Sequence, residues 1–271
     1  MEKDFAIAFI GNNVFYHLGV IKAVEEYNIY NKFKAVSGTG LGSLSAIMFG
    51  KKDYNSFKNL CTLMSDIKRI HIKEDEVYEI LNMHTINKSL DEKICMWSRK
   101  ISKEGMINWS DMLKIINNKY ISVGKNNFKM DCYLGCYELP FMRKSVFKLN
   151  NCDSNYIEKV ILNSVAKPSI FNNRVKSKSF ITGDINCELP IEILKDNNYK
   201  NIIIIDSDNM KIEYRYEGVE KFNRKNLENK IKYDESEKYI QKAYEDTINI
   251  IKKQFKKYSL NKNFIKFKKS C

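Results

Sequence analysis

The residues of this chain whose types and spacing bear on chemistry gather at Gly38-Thr39-Gly40-Leu41-Gly42. An apolar stretch, Phe33 to Ser37, runs into this glycine turn, and helix-forming residues follow at once. Strand, tight turn and helix is the layout of a nucleophile elbow, in which a strained turn lifts one side chain above a sheet, with the pattern G-x-S-x-G. Here the outer glycines stand at Gly38 and Gly42, but the nucleophile position holds Gly40. Acyl transfer needs a nucleophile, a base to take its proton, and donors aimed at the developing oxyanion. Glycine carries no nucleophilic atom. Ser37 ends the preceding strand. Ser43 lies about one helical turn past the apex and reads as a small packing residue pointing away from it. Thr39 neighbours the apex and is expected to face the opposite side.

The elements that must position this turn follow from apolar periodicity. Phe5–Ile10 is a continuous apolar run ending at Gly11, as expected of a strand buried on both faces of a parallel sheet. Gly11, Asn12 and Asn13 form a turn, since asparagine tolerates left-handed backbone. Leu18 to Tyr27 reads as a helix with Val20, Ile21 and Val24 on one face. The strand at Phe33–Ser37 and a helix from Gly42 to Phe49 complete a βαβα start, which predicts helices packed around a mostly parallel sheet. Residues 51–105 read as a charged helical insertion, with Phe57, Leu60, Cys61 and Met64 at helical spacing. A helix over Trp109–Ile116 follows, then strands over Phe128–Leu134 and Ser145–Leu149 on either side of Pro140. A helix over Tyr156–Val165, a short strand over Lys178–Ile181 and a buried strand over Asn201–Asp206 come next. Asp234 to Phe255 reads as a long amphipathic helix. The expected organisation is an α/β domain over 1–220 and a basic helical extension over 221–271.

With 271 residues, 44% of them hydrophobic, the chain has enough apolar material for one large core. Its net charge of +13 favours an anionic partner. After Asp246 come Lys252, Lys253, Lys256, Lys257, Lys262, Lys266, Lys268 and Lys269 with no acid among them. Phe255, Tyr258, Phe264, Ile265 and Phe267 are interleaved. That pattern suits an anionic membrane surface, at about 1 kcal/mol per lysine near the headgroups. It suits a nucleic-acid backbone less well, and a solvated lysine-rich terminus equally well. The seven cysteines lack paired short spacing and no histidine follows at metal-site spacing, so no metal or other cofactor is expected and the thiols read as free. His71 and His84 fall in the charged insertion without such an arrangement. Phe5–Ile10 is too short for a signal-peptide core, and no run reaches membrane-spanning length. A cytoplasmic protein, peripheral to the membrane where the tail engages, is the expectation.

Four segments in order resemble the patatin-like phospholipases, α/β lipid acyl hydrolases that work with a Ser–Asp dyad. His17–Glu26 is similar to the helix after the family's glycine-rich oxyanion loop, and Gly38–Leu44 to its elbow. Ser164, Ala166, Pro168 and Phe171 match its S-x-A-x-P-x-x-F segment. Thr182-Gly183-Asp184, with the later Pro190, is similar to the stretch that supplies the dyad aspartate as D-G-G or D-G-A. The resemblance spans roughly residues 5–207. It implies that Gly11, Asn12 and Asn13 stand where the family has G-G-G-x-R-G, Gly40 where it has the serine, and Thr182 where it has the aspartate. Threonine has no useful proton affinity near neutral pH, so nucleophile and base are both missing. Asp184 is left either as a substitute base or as a turn aspartate bonding nearby backbone. His17 reads as a structural residue at a helix start. Asp111, Asp131 and Asp206 read as a helix-start acid, an outward strand residue and a strand-end residue. The expectation is an inactive family member that keeps a lipid- or partner-binding cleft. The alternative is a lipid acyl hydrolase with relocated groups.

Overall fold

The computed structural model describes residues 4–67, 127–138, 141–165, 180–216 and 235–254. The insertion beyond residue 67, the helix expected at Trp109–Ile116, Pro168 and Phe171, and the tail beyond residue 254 lie outside them.

Four parallel strands make the centre of the sheet: β1 (Phe5–Ile10), β2 (Phe33–Gly38), β3 (Asp131–Glu138) and β6 (Asn201–Asp206), in the order β3-β2-β1-β6. The flanking strands β4 (Arg143–Lys148) and β7 (Lys211–Arg215) are antiparallel to their neighbours. The short β5 (Phe180–Thr182) pairs antiparallel with the far half of β3. β1 and β6 are buried along their whole length, which explains their nearly unbroken apolar sequence.

The two faces of the sheet are covered unequally. On one face Phe5, Ile7 and Phe9 of β1, with Val36, Leu134, Ile203 and Ile205, meet α1 (Val14–Glu26), α2 (Gly42–Lys51), α3 (Tyr54–Ile67), α4 (Ser154–Val165) and α6 (Ser236–Gln254). Phe49 of α2 anchors this core, with its ring 5.6 Å from Phe9, 5.2 Å from Phe33 and 5.0 Å from Tyr30. Such tilted and edge-on pairs add to simple burial. On the other face Ala6, Ala8 and Ala35 present small side chains, and among the described residues one helix, α5 (Leu189–Asp196), packs there through Leu189, Ile191, Ile193 and Leu194. Along β1 large and small residues alternate, with Phe5, Ile7 and Phe9 towards the first face and Ala6 and Ala8 towards the second.

Several expected boundaries shift. The first helix starts at Val14, four residues earlier than its apolar stripe suggests, because the Asn13 side chain caps it by accepting from Tyr16 N–H at 3.2 Å. The strand expected at 128–134 runs from Asp131 to Glu138, since its second half pairs with both β4 and β5. Helix α5 and strand β7 carry no expectation from sequence. The start of the insertion forms α3, with Phe57, Leu60 and Cys61 buried in the main core.

Helix α6 belongs to the same core: Tyr239, Ala243 and Ile251 are buried in it. It lies against α1 so closely that a methyl group on Gly19 would overlap the Ile240 carbonyl and come within 2.8 Å of Ala243 Cβ. The pair is also tied by polar contacts. Tyr16 donates its hydroxyl to Asp246 Oδ2 at 2.8 Å, and Lys242 reaches the same oxygen at 3.1 Å. Tyr16→Phe is expected to lower the unfolding free energy by about 1–1.5 kcal/mol, measured in urea, because half-exposed Asp246 keeps its lysine and water. A loss below a few tenths would show that this bond does not hold α6 to α1.

Candidate functional site

The glycine turn sits at the C-terminal end of β2, beside the C-terminal ends of β1 and β6. Ligands of open α/β sheets bind outside these strand ends, at the point where strand order reverses. Here that point lies between β1 and β6, since the chain passes outward from β1 to β2 and β3 and later returns on the other side.

The elbow geometry is present. Gly40 has φ +54°, the left-handed region that side chains rarely adopt. Its N–H donates to the Ser164 carbonyl at 3.1 Å, so the end of α4 backs the turn. The serines around it are committed to structural bonds. Ser43 Oγ lies 2.5 Å from Ser164 Oγ, which donates to the Gly135 carbonyl at 3.0 Å, and both serines are fully buried. Ser37 donates to the Pro190 carbonyl at 2.7 Å and fastens the start of α5 to β2.

Strand β5 brings the third element. One edge of β3 is occupied first by β2, as far as Leu134 opposite Gly38, and then by β5, with Thr182 opposite Cys136. β5 therefore fills the lane that β2 leaves when the chain turns into α2, and the residues after it meet the elbow. Thr182 is buried, and its hydroxyl accepts from the Asp184 N–H at 3.2 Å, capping a short 3-10 turn over Gly183–Ile185. Asp184 is half-buried, and its carboxylate occupies the space into which a side chain on Gly40 would project. A Cβ built on Gly40 would overlap that carboxylate. Thr39 does not face away from the apex, as the sequence suggests. It donates its hydroxyl to Asp184 Oδ1 at 3.1 Å, because β5 delivers the acid to that side of the turn.

The loop after β1 is closed in its own way. Asn12 N–H donates to Asp208 Oδ1 at 2.6 Å and Asn13 N–H to Ser207 Oγ at 3.1 Å. Ser207 and Asp208 follow β6, so they bridge the β1–β6 crevice. Backbone donors at the head of α1, where an anion would be favoured, already hold a carboxylate of the chain itself. A Cβ on Gly11, at φ +94°, would run into the same two side chains. Neither Ser207 nor Asp208 is singled out by sequence; their only signal is a polar run directly after a buried strand.

His17 lies beneath this loop, fully buried, with its ring edge-on to Phe9 at 5.1 Å. Nε2 is 3.1 Å from the Ile10 carbonyl and Nδ1 is 2.8 Å from Ser45 Oγ. The carbonyl only accepts, so Nε2 carries the proton and Ser45 donates to Nδ1. Burial pulls the pKa of His17 down to about 4, only partly offset by the Ile10 carbonyl and the charge of Asp208. It is a neutral strut between the β1 loop and α2.

Cys136 is the thiol nearest Thr182 along the strands, and burial pushes it up to about 12, so it supplies no thiolate nucleophile. The five cysteines among the described residues are unbridged. Among the described residues no group of three or more His, Cys, Asp or Glu side chains is disposed to hold a metal. No helix among them is long and apolar enough to cross a membrane. Asp131, at the start of β3, accepts from Lys148, Tyr133 and Tyr199, and Asp206 binds Asn209 within its own turn.

No protein-family model and no curated protein sequence matches this chain. Among solved structures it is similar to VipD from Legionella pneumophila, at 12% identity and TM-score 0.44, over 94% of this chain and 67% of that one. It is similar to the type III effector protein ExoU at 12% identity and TM-score 0.37, over 94% of this chain and 53% of the other. In the heterodimeric ExoU–SpcU complex from the type III secretion system of Pseudomonas aeruginosa, the values are 9% identity, TM-score 0.44, 94% and 52%. The chain thus spans about half the length of the ExoU chains.

Proposed function

We propose that this chain is a patatin-like protein in which acyl hydrolysis has been dismantled, leaving the scaffold to bind a lipid or a protein partner. The observation that carries the reading is the Asp184 carboxylate standing where the elbow side chain would project. Three features support it together: the apex lacks a nucleophile, the acid position holds a threonine used as a cap, and the Asn12 and Asn13 donors are engaged within the chain. An anionic membrane surface is the companion proposal for Lys252–Lys269, with a cytoplasmic, membrane-peripheral location. Purified full-length protein is expected to take no fluorophosphonate label and to turn over no lipid ester. Stoichiometric serine labelling with ester turnover would sink the reading.

One observation favours a second reading, the contact of Asp184 with the apex. There its carboxylate would take a proton from water as the oxygen attacks an ester carbonyl, and would return that proton to the departing alkoxide. In that case ester turnover exists without a fluorophosphonate label, and Asp184→Asn abolishes it.

A further inference from the structure

The hairpin between β3 and β4 carries a feature that the elbow does not use. β3 runs parallel to β2, and Leu134 pairs with Gly38, the last strand residue before the elbow. β3 then continues to Glu138, so the hairpin rises about 13 Å beyond the elbow's level at roughly 3.3 Å per residue. It rises from the same edge of the sheet. Phe141 and Met142, the described residues of its turn, are exposed by 74% and 44%, and Phe141 leads the exposed large hydrophobic side chains among the described residues. Met142 is held at φ +51°, a conformation that residues other than glycine adopt sparingly. The guanidinium of Arg143 lies 5.2 Å from the Phe141 ring centroid. Among the described residues Arg143 has no carboxylate partner. Lys144, by contrast, is fastened to Asp196 at 2.6 Å and Glu192 at 3.6 Å, which ties the hairpin to α5 one residue pair below its end.

We infer that this tip is a docking point for an anionic lipid bilayer, with Phe141 and Met142 entering the boundary between headgroups and acyl chains and Arg143 contacting lipid phosphate or carboxylate. Two adjacent large apolar side chains stand exposed beside a cation, a combination that suits a lipid surface. An aromatic ring and a flexible methionine supply apolar area at the depth where amphipathic anchors sit. The unpaired cation beside them, on a chain of net charge +13, complements a negative leaflet. The strand just below the tip is anchored to α5. Docking here would turn the elbow edge of the sheet towards the membrane, and the inference holds whether or not that edge catalyses.

The test uses the full-length chain with vesicles of phosphatidylcholine, with and without phosphatidylserine. The chain is expected to co-sediment with the phosphatidylserine vesicles. Phe141→Ser with Met142→Ser should lower the partition coefficient about tenfold or more, from the loss of apolar burial alone. Arg143→Glu should weaken binding only where phosphatidylserine is present. Both variants alter exposed side chains, and an unchanged circular dichroism spectrum checks the fold. A direct readout comes from Phe141→Trp: emission beyond that of the parent protein should shift blue on anionic vesicles and be quenched by brominated lipid. Absence of vesicle binding overturns the inference. So does binding that the tip variants leave intact but that Lys256→Glu, Lys257→Glu and Lys262→Glu together abolish, which would assign the membrane to the tail. Vesicle binding without the spectral shift overturns it as well, and leaves the tip to a protein partner.

Discussion

Gly40→Ala is expected to lower the unfolding free energy by about 2–5 kcal/mol, and most of that loss should vanish when Asp184 is shortened. Two terms add. A side chain at φ +54° costs about 1–2 kcal/mol for an L-residue. Forcing a Cβ into the Asp184 carboxylate adds about 1–3 kcal/mol of overpacking. In an Asp184→Gly background only the first term remains, so the substitution should cost about 1 kcal/mol. A double-mutant cycle in urea measures the difference directly, since contacting residues couple by about 0.5–3 kcal/mol. Additive losses would mean that the carboxylate moves aside freely and does not seal the elbow.

The same geometry sets what restoration requires. On the proposed reading, Gly40→Ser with Thr182→Asp supplies a dyad by residue type but leaves the Asp184 carboxylate on the new serine. Adding Asp184→Gly clears that space. Ester turnover is still expected to stay at background, because the Asn12 and Asn13 N–H groups remain held by Asp208 and Ser207. Loss of a single oxyanion donor already costs about a hundredfold to a thousandfold in turnover. Activity in this triple variant, with Asp208 and Ser207 untouched, would show that the β1 loop is no obstacle.

The second large effect is a dependence of stability on acid that one buried imidazole supplies. His17 titrates near 6.5 when unfolded and near 4 in the folded chain. A depressed pKa means that the unfolded state binds the extra proton first, so the contribution is complete above about 6.5 and is lost as the pH falls towards 4. Two to three pH units at about 1.4 kcal/mol each give a loss of about 3 kcal/mol across that window. His17→Gln has the groups to bond the Ile10 carbonyl and Ser45 but does not titrate. Its stability should therefore fall less steeply between about pH 7 and pH 4, the carboxylates being common to both proteins. Parallel curves for the two proteins would remove His17 as the acid-sensitive strut. Because His17 joins the β1 loop to α2, the first region to loosen in acid should be the loop at Gly11–Asn13, seen as faster amide exchange there.

What the sequence conveyed about the fold was uneven for physical reasons. Phe5–Ile10 and Asn201–Asp206 were legible because strands buried on both faces must be apolar throughout. Helix α6 was legible because its buried positions recur at helical spacing, with Tyr239, Ala243, Thr247 and Ile251 four apart. Strand β7, an edge strand mixing charged with apolar residues, lacks that signature, and its Glu213 is paired with both Lys211 and Arg215. Helix α5 lacks a clear sequence signal because it is only eight residues long and carries Pro190 at its second position, a residue that reads as a turn by itself.

The candidate site divides along a different line. The order of residues alone determined that position 40 carries no hydroxyl and position 182 no carboxylate, since a missing atom is missing in any fold. Only the tertiary structure decided what occupies the vacated space. β5 enters the lane left by β2 and brings Asp184, distant in sequence, onto Gly40, turning Thr39 to the side that sequence had denied it. β6 lies beside β1 and brings Ser207 and Asp208 onto the Asn12 and Asn13 donors. Both acids are ordinary turn residues in sequence. Strand pairing makes one of them a plug for the elbow and the other a cap on the loop, because it fixes which distant loops share the C-terminal edge of the sheet.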